Sequence, residues 1–306
     1  MEKTLIFGHK SPDTDTIMSS ICLSNLRNKL GEETLACRLG EPNKETKFAL
    51  NYFGVDAPVL IESVEENQNV MLVDHNEFAQ SVNGIEKATI KMVVDHHKIS
   101  DFQTSEPLYY RAEPLGCTAT ILYKMYKENG IEIDKITAGL MLSAIVSDTL
   151  LFKSPTCTDE DVKAGNTLAE IAGVDVNVYG LDMLKAGTDL SDLTEEELIN
   201  LDAKEVSLGN LKSVIAQVNS VDIDKMLERK EKLEEEMKKV IEEKNLDIFI
   251  LAITDILNSN SKAIVLGNSV DLFEKSFEVK LDSNVAFLPG VVSRKKQIIP
   301  VIMKNV

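Results

Sequence analysis

"TLIFGHKSPDTDTIMSSICLSNLRNKLG", residues 4–31, carries the two signals that decide the fold. Residues 4–7 are a short apolar, β-rich run of the kind buried in a parallel sheet. Residues 16–30 have helical apolar spacing that stops at Gly31. The alternation continues downstream. Residues 34–37, 58–61, 70–73 and 90–94 read as strands, and 44–53, 116–129, 136–147 and 159–172 as helices, several of them closed by glycine. Strands alternating with helices predict an α/β fold whose N-terminal sheet is mostly parallel and flanked by helices on both faces.

At 306 residues and 33.9 kDa the chain is long for one core, which predicts two domains. "GTDLSDLT", residues 187–194, is polar and rich in turn formers. The expected division is residues 1–187, a hinge linker 188–194, and residues 195–306. The last part reads as a smaller mixed α/β domain: a helix at 195–202, a long charged helix at 222–244, and strands at 213–219, 247–253, 263–266 and 297–303. In the long helix Met226, Leu233, Met237, Val240 and Ile241 form one apolar stripe, while Glu234–Lys238 and Glu235–Lys239 are spaced as i,i+4 ion pairs.

An apolar fraction of 43% and a charged fraction of 27% are those of a globular protein. The net charge of −17 disfavours a polynucleotide partner, because phosphate backbones are held by Lys and Arg. No apolar run reaches membrane-spanning length, and Cys22, Cys37, Cys117 and Cys157 show no zinc or disulfide spacing. These features predict a cytoplasmic protein with reduced thiols and no membrane partner.

The four histidines are the most informative residues. His9 stands in "GHKSPDTD" with Asp13 and Asp15, and His75 follows Asp74 in "LVDHNE". His96 and His97 follow Asp95 in "VVDHHK". Each group ends a strand-like run, and Asp148 in "AIVSDTLLF" ends an apolar helix. In an open parallel sheet such ends converge on one crevice. Carboxylates with a minority of imidazole suit Mn²⁺, Co²⁺ or Mg²⁺, and two ions about 3.5–4 Å apart would relieve the repulsion among so many acids. Taken singly, each residue has an ordinary reading. Asp15 ahead of Thr16 and Ile17 suits a helix cap, His9 a loop, and Asp74 and Asp148 element ends.

The order "GHKSPDTD", "LVDHNE", "VVDHHK", "SDTLLFKSPTCTDED" resembles the DHH phosphoesterase superfamily. With "SRKKQIIP" near the C-terminus it resembles the family II, manganese-dependent inorganic pyrophosphatases. The resemblance implies a DHH-type first domain, with the active site in the cleft between the domains. It implies one metal held by His9, Asp13, Asp74 and Asp148 and a second held by Asp15, Asp74, His96 and Asp148. His97, Lys204, Arg294 and Lys295 would bind substrate, with Lys296 competing for the last role. His75, Asn76 and Asp95 would orient the ligands.

The implied chemistry is hydrolysis of pyrophosphate to two phosphates by hydroxide bridged between two Mn²⁺ ions, with Co²⁺ an alternative and Mg²⁺ arriving with the substrate. His97 and Asp74 would be the catalytic residues. A homodimer through the first domain is implied as well. Three readings compete: a short-chain exopolyphosphatase, a DHH-type phosphodiesterase, and a non-catalytic phosphate-binding regulator. The phosphodiesterase branch calls for a histidine after His97, which this chain lacks. Only residues 61–70 occupy the place where larger relatives insert nucleotide-sensing CBS domains.

Overall fold

A computed structural model describes residues 3–306, which divide into two compact units after Gly187. The first unit runs β1 (Thr4–Phe7), α1 (Thr14–Lys29), β2 (Thr34–Arg38), α2 (Lys44–Phe53), β3 (Val59–Leu60), β4 (Asn69–Val73), β5 (Thr89–Asp95) and β6 (Tyr109–Ala112). Helices α3 (Thr118–Glu128), α4 (Lys135–Asp148), α5 (Asp159–Ala172) and α6 (Val176–Gly187) complete it. Its six strands are all parallel, in the order β3-β2-β1-β4-β5-β6. The chain therefore builds outward from β1 in one direction and then starts again at β4 on the other side.

Burial on both faces explains the sequence of the central strands. On one face Phe7, Val70, Leu72, Ile90 and Val93 share a core with Cys37, Val82 and Ile85. On the other, α1 packs against α4 and α3. Helix α4, "KITAGLMLSAIVSD", is apolar on most sides because residues 137–146 are buried all round between neighbouring helices. Helix α1 begins at Thr14, two residues earlier than its spacing predicts, and its cap is Asp13, whose Oδ1 accepts from Thr16 N at 2.9 Å. Asp15 is thus not the cap of its own helix. It lies inside the first turn and is fully buried.

The second unit contains α7 (Glu195–Asn200), β7 (Ala203–Leu208), β8 (Leu211–Ser220), α8 (Ile223–Leu227) and α9 (Lys230–Lys244). Then follow β9 (Ile248–Asp255), β10 (Asn260–Gly267), α10 (Val270–Phe277), β11 (Val285–Pro289), a π-helical turn (Arg294–Ile298) and α11 (Ile299–Met303). The sheet order is β11-β10-β9-β8-β7, with β8 and β9 parallel and the other pairs antiparallel.

Three expectations fail here. Residues 297–303 are helical, not a strand: Ile298 and Ile302, one turn apart, enter the core together, and Pro300 sits in the first turn, where its missing N–H costs nothing. The single helix expected at 222–244 is two, broken at Glu228 and Arg229. The expected pairs Glu234–Lys238 and Glu235–Lys239 are replaced by Lys230–Glu234 and Lys239–Glu236. Glu234 turns inward, where it also accepts from Asn284. The apolar stripe packs as expected.

The helix break positions Arg229. Its guanidinium donates to Leu190 O and Leu193 O at 3.2 and 2.6 Å and pairs with Glu195 at 3.0 Å. Leu190 and Leu193 also pack on the second unit's core. Most of the stretch expected as a free linker is therefore strapped to the second unit. Arg229→Ala should lower the unfolding free energy of that unit by about 1–2 kcal/mol, with the loss of bonds to half-buried carbonyls dominating. Urea denaturation would read this as a lower midpoint, and an unchanged midpoint would mean the strap contributes nothing.

Candidate metal centre

Strands β1 and β4 lie side by side where the strand order reverses, the place at which open parallel sheets bind ligands. The loop after β1 carries His9 and leads into α1 with Asp13 and Asp15. Asp74 follows β4, Asp95 ends β5 with His96 and His97 after it, and Asp148 is the last residue of α4. Asp74 has φ 59°, a left-handed conformation that aspartate tolerates better than most residues, while its N–H still bonds Val94 O at 3.0 Å.

These side chains meet. His9 Nε2 lies 3.4 Å from Asp13 Oδ2 and 3.5 Å from Asp74 Oδ2. His96 Nε2 lies 3.3 Å from Asp74 Oδ1 and 3.8 Å from Asp148 Oδ2. Three overlapping donor sets result: His9, Asp13 and Asp74; Asp15, His96 and Asp148; and Asp74, His96 and His97. Asp74 and His96 each belong to two of them.

The imidazoles are set up as ligands. His9 Nδ1 bonds Lys10 O at 2.8 Å and His96 Nδ1 bonds Leu115 O at 3.0 Å. A proton on Nδ1 held by a carbonyl leaves the Nε2 lone pair turned toward the carboxylates. The carboxylates are held by donors that sequence reasoning missed. Thr16 Oγ1 and Thr118 Oγ1 donate to Asp74 at 2.7 and 3.2 Å. Asp15 accepts from Ser19 Oγ at 2.6 Å and from Thr118 N and Ala119 N at 2.7 and 3.2 Å. Helix α3 has no capping side chain of its own, since its N-cap is Cys117, and Asp15 supplies that service from a different helix. Threonine hydroxyls and backbone amides follow no sequence pattern that would have announced them. Gly8 is the one visible trace, because a Cβ there would stand 2.5 Å from the Thr16 side chain.

Around this cluster Asn76 Nδ2 donates to Asp95 Oδ2 at 2.6 Å and to Lys98 O at 2.9 Å, and its Oδ1 accepts from Ser100 N. Asp95 Oδ1 holds both the N–H and Nδ1 of His97, at 3.1 and 3.0 Å. His75 stands apart from these bonds. Its Nδ1 bonds Val73 O, and among the described residues its Nε2 has no partner and its ring bonds none of the site carboxylates.

The electrostatics follow from burial and crowding. Burial alone would depress His9, but Asp13 and Asp74 overcome it and lift its pKa to about 11; in the same way Asp74 and Asp15 lift His96 to about 9. Burial works to raise Asp74, yet its contacts with His9 and His96 hold it well below the carboxylate range. Burial and the Asp74 charge push Asp15 up to about 6, and burial with the Asp15 and Asp74 charges pushes Asp148 well above its ordinary value. The pocket thus takes up protons where it lacks other cations. Buried Cys117 is also pushed up, by burial and then by Asp15 and Asp148, and offers no thiolate. Oxygens and imidazoles with aligned lone pairs fit a hard or borderline divalent ion.

In the second unit Lys204 lies exposed on β7, and Lys295 and Lys296 are exposed in the π-helical turn. Arg294 is buried there, donating to Asp202 O, to Asp202 Oδ1 at 2.9 Å and to Ile215 O at 3.3 Å. Gln217 and Gln297 hold the backbone of residues 292–294.

Residues 3–145 match the family described as DHH family, N-terminal domain, and residues 181–305 match the DHHA2 domain. The chain is 59% identical over 303 residues to the manganese-dependent inorganic pyrophosphatase of Bacillus subtilis, covering 99% of this chain and 98% of that one. It is 60% identical over 301 residues to an Exiguobacterium protein named "Probable manganese-dependent inorganic pyrophosphatase", covering 98% and 97%. A Methanococcus jannaschii crystal structure assigned to the family II inorganic pyrophosphatases aligns over 100% of this chain and 99% of its own, with a TM-score of 0.63 and 38% identity. A Bacteroides fragilis exopolyphosphatase-related protein, 14% identical with a TM-score of 0.52 over 99% and 92% of the two chains, shares the fold.

Metal ligation requires neutral imidazole, so binding must displace the protons held by His9 and His96. Calorimetry of Mn²⁺ binding at pH 7.5 in buffers of different ionisation enthalpy should show about one proton or more released per protein; release of none would mean that the imidazoles are already neutral. The raised pKa values also stabilise the metal-free fold below pH 6.5, an effect lost as pH rises through about 9 at His96. The metal-free protein should therefore lose stability across that window, and metal should remove the loss.

Proposed function

Starting from the manganese-dependent inorganic pyrophosphatases, the family to which this chain belongs, we propose that the protein hydrolyses inorganic pyrophosphate to two phosphates. The observation that carries this reading is the place of Asp74 in two donor sets, one with His9 and Asp13 and the other with His96. Ions bound there would share ligands, the arrangement suited to a dinuclear centre. One ion is assigned to His9, Asp13, Asp74 and Asp148 and the other to Asp15, Asp74, His96 and Asp148. Bound divalent ions supply neutralisation of phosphate charge and acidification of water at neutral pH.

The protein's own residues do the rest. His97 is half-exposed, with Nδ1 against Asp95, so Nε2 is its free nitrogen. Asp95 raises its pKa above the ordinary value and favours the protonated ring. We assign it a hydrogen bond, or a proton, delivered to the phosphate oxygens as the anhydride bond breaks. Lys204, Arg294 and Lys295 are assigned to the phosphate oxygens, with Lys296 the alternative to Lys295. A planar guanidinium held by three acceptors is pre-oriented for that role. Phosphoryl transfer asks for positioning and charge more than covalent help. Mg²⁺ bound with the substrate, a homodimer joined through the first unit and a cytoplasmic location belong to the same reading and rest on the family resemblance. Among the described residues no helix is long and apolar enough to cross a membrane.

The test is phosphate release from pyrophosphate by metal-stripped protein reloaded with Mn²⁺ in the presence of Mg²⁺. Tripolyphosphate and a short oligonucleotide serve as competing substrates. Selective pyrophosphate cleavage is expected, with Asp74→Ala reducing it by about 100-fold or more. Lys295→Ala should raise KM more than it lowers kcat, because it removes binding common to ground and transition states. Preference for tripolyphosphate would instead assign the chain to exopolyphosphate hydrolysis.

A further inference from the structure

Asp161 is fully buried, and no cation approaches it among the described residues. Four donors satisfy it instead. Oδ2 accepts from Thr158 N at 2.8 Å, Thr158 Oγ1 at 2.7 Å and Gly116 N at 2.9 Å, and Oδ1 accepts from Thr120 Oγ1 at 2.6 Å. The bond from Thr158 N, together with Asp161 N donating to Thr158 Oγ1 at 3.4 Å, makes a capping box at the start of α5. A cap needs no more than these. The bonds from Gly116 and Thr120 reach across to the start of α3, and a Cβ on Gly116 would stand only 2.8 Å from Oδ2, so glycine is what permits the approach.

The segment that Asp161 grips, residues 115–119, touches three of the assigned metal ligands. Leu115 O takes the His96 Nδ1 proton, Thr118 N and Ala119 N hold Asp15, and Thr118 Oγ1 bonds Asp74. These ligands come from α1 and from the loops after β4 and β5, and residues 115–119 contact all of them. From this geometry we infer that Asp161 is a positioning residue for the metal centre: by anchoring Gly116 and Thr120 it sets the acceptors and donors that aim His96, Asp15 and Asp74. The inference rests on the metal-dependent reading above. Partners one step removed from a metal characteristically change its affinity when lost, and Asp161 stands one step further out, acting on several of them at once.

Mn²⁺ affinity measured by calorimetry on the full chain, alongside thermal unfolding, tests this with four variants. Asp161→Ala should weaken Mn²⁺ binding by about 10- to 100-fold. Asp161→Asn should stay close to native, because its Oδ1 can serve the two amides while the Thr120 hydroxyl turns to accept from Nδ2. Thr158→Ala removes part of the α5 cap and should lower the melting temperature while leaving Mn²⁺ affinity unchanged. Thr120→Val cuts only the link to α3 and should weaken Mn²⁺ with little change in melting temperature. It carries the test should Asp161→Ala fail to fold. Native affinity in Thr120→Val, or a loss in Thr158→Ala as large as in the Asp161 variant, would overturn the inference while leaving the metal-dependent reading intact. A native chain that binds no Mn²⁺ would overturn both.

Discussion

The constraint on which the first unit depends is charge. Asp15 and Asp74 are buried beside the half-buried Asp148, and a buried carboxylate without a counter-charge is costly. Everything around them supplies compensation. Hydroxyls and amides satisfy the oxygens, His9 and His96 bring protons, and bound cations would complete the neutralisation. A sheet of this topology concentrates the problem at one place, because the loops after β1 and β4 leave adjacent strands in the same direction.

Much of this was legible in the sequence. The histidines and aspartates could be picked out because each ends a recognisable apolar run, and loops at strand ends are where ligands gather. The parallel sheet followed from the alternation of strand and helix patterns. What could not be read were the residues that hold the ligands in place. Thr16, Thr118 and the carbonyl of Leu115 act through hydroxyls and backbone, which have no periodicity. Asp13 and Asp15 show the limit well. Local rules suggest that Asp15 caps its own helix, yet tertiary packing gives that cap to Asp13 and lends Asp15 to α3. The strand expected at residues 297–303 failed for a related reason. "QIIPVIM" is β-rich in composition, and only the core contacts of Ile298 and Ile302 reveal the helical period.

The second unit carries the basic residues Lys204, Arg294, Lys295 and Lys296 within a chain of net charge −17. Arg294 is fixed by acceptors on Asp202 and Ile215, whereas Lys204, Lys295 and Lys296 extend into solvent. A pre-oriented guanidinium beside exposed ammonium groups combines directional recognition with point charge. Gln217 and Gln297 give the turn its shape through bonds to the backbone of residues 292–294.

The strand order also governs how the first unit comes into being. The side chains of its candidate metal centre are spread from residue 9 to residue 148, and β1 pairs with β4 across the whole β2–α2–β3 excursion. Contacts so distant in sequence carry a large loop-closure cost and form late in folding. The set of His9, Asp13 and Asp74 requires that pairing, whereas Asp74, His96 and His97 follow β4 and β5, which pair directly. Ions held by His9, Asp13 and Asp74 would therefore favour the completed fold, acting on the equilibrium between folded and unfolded chains as ligands of the finished topology.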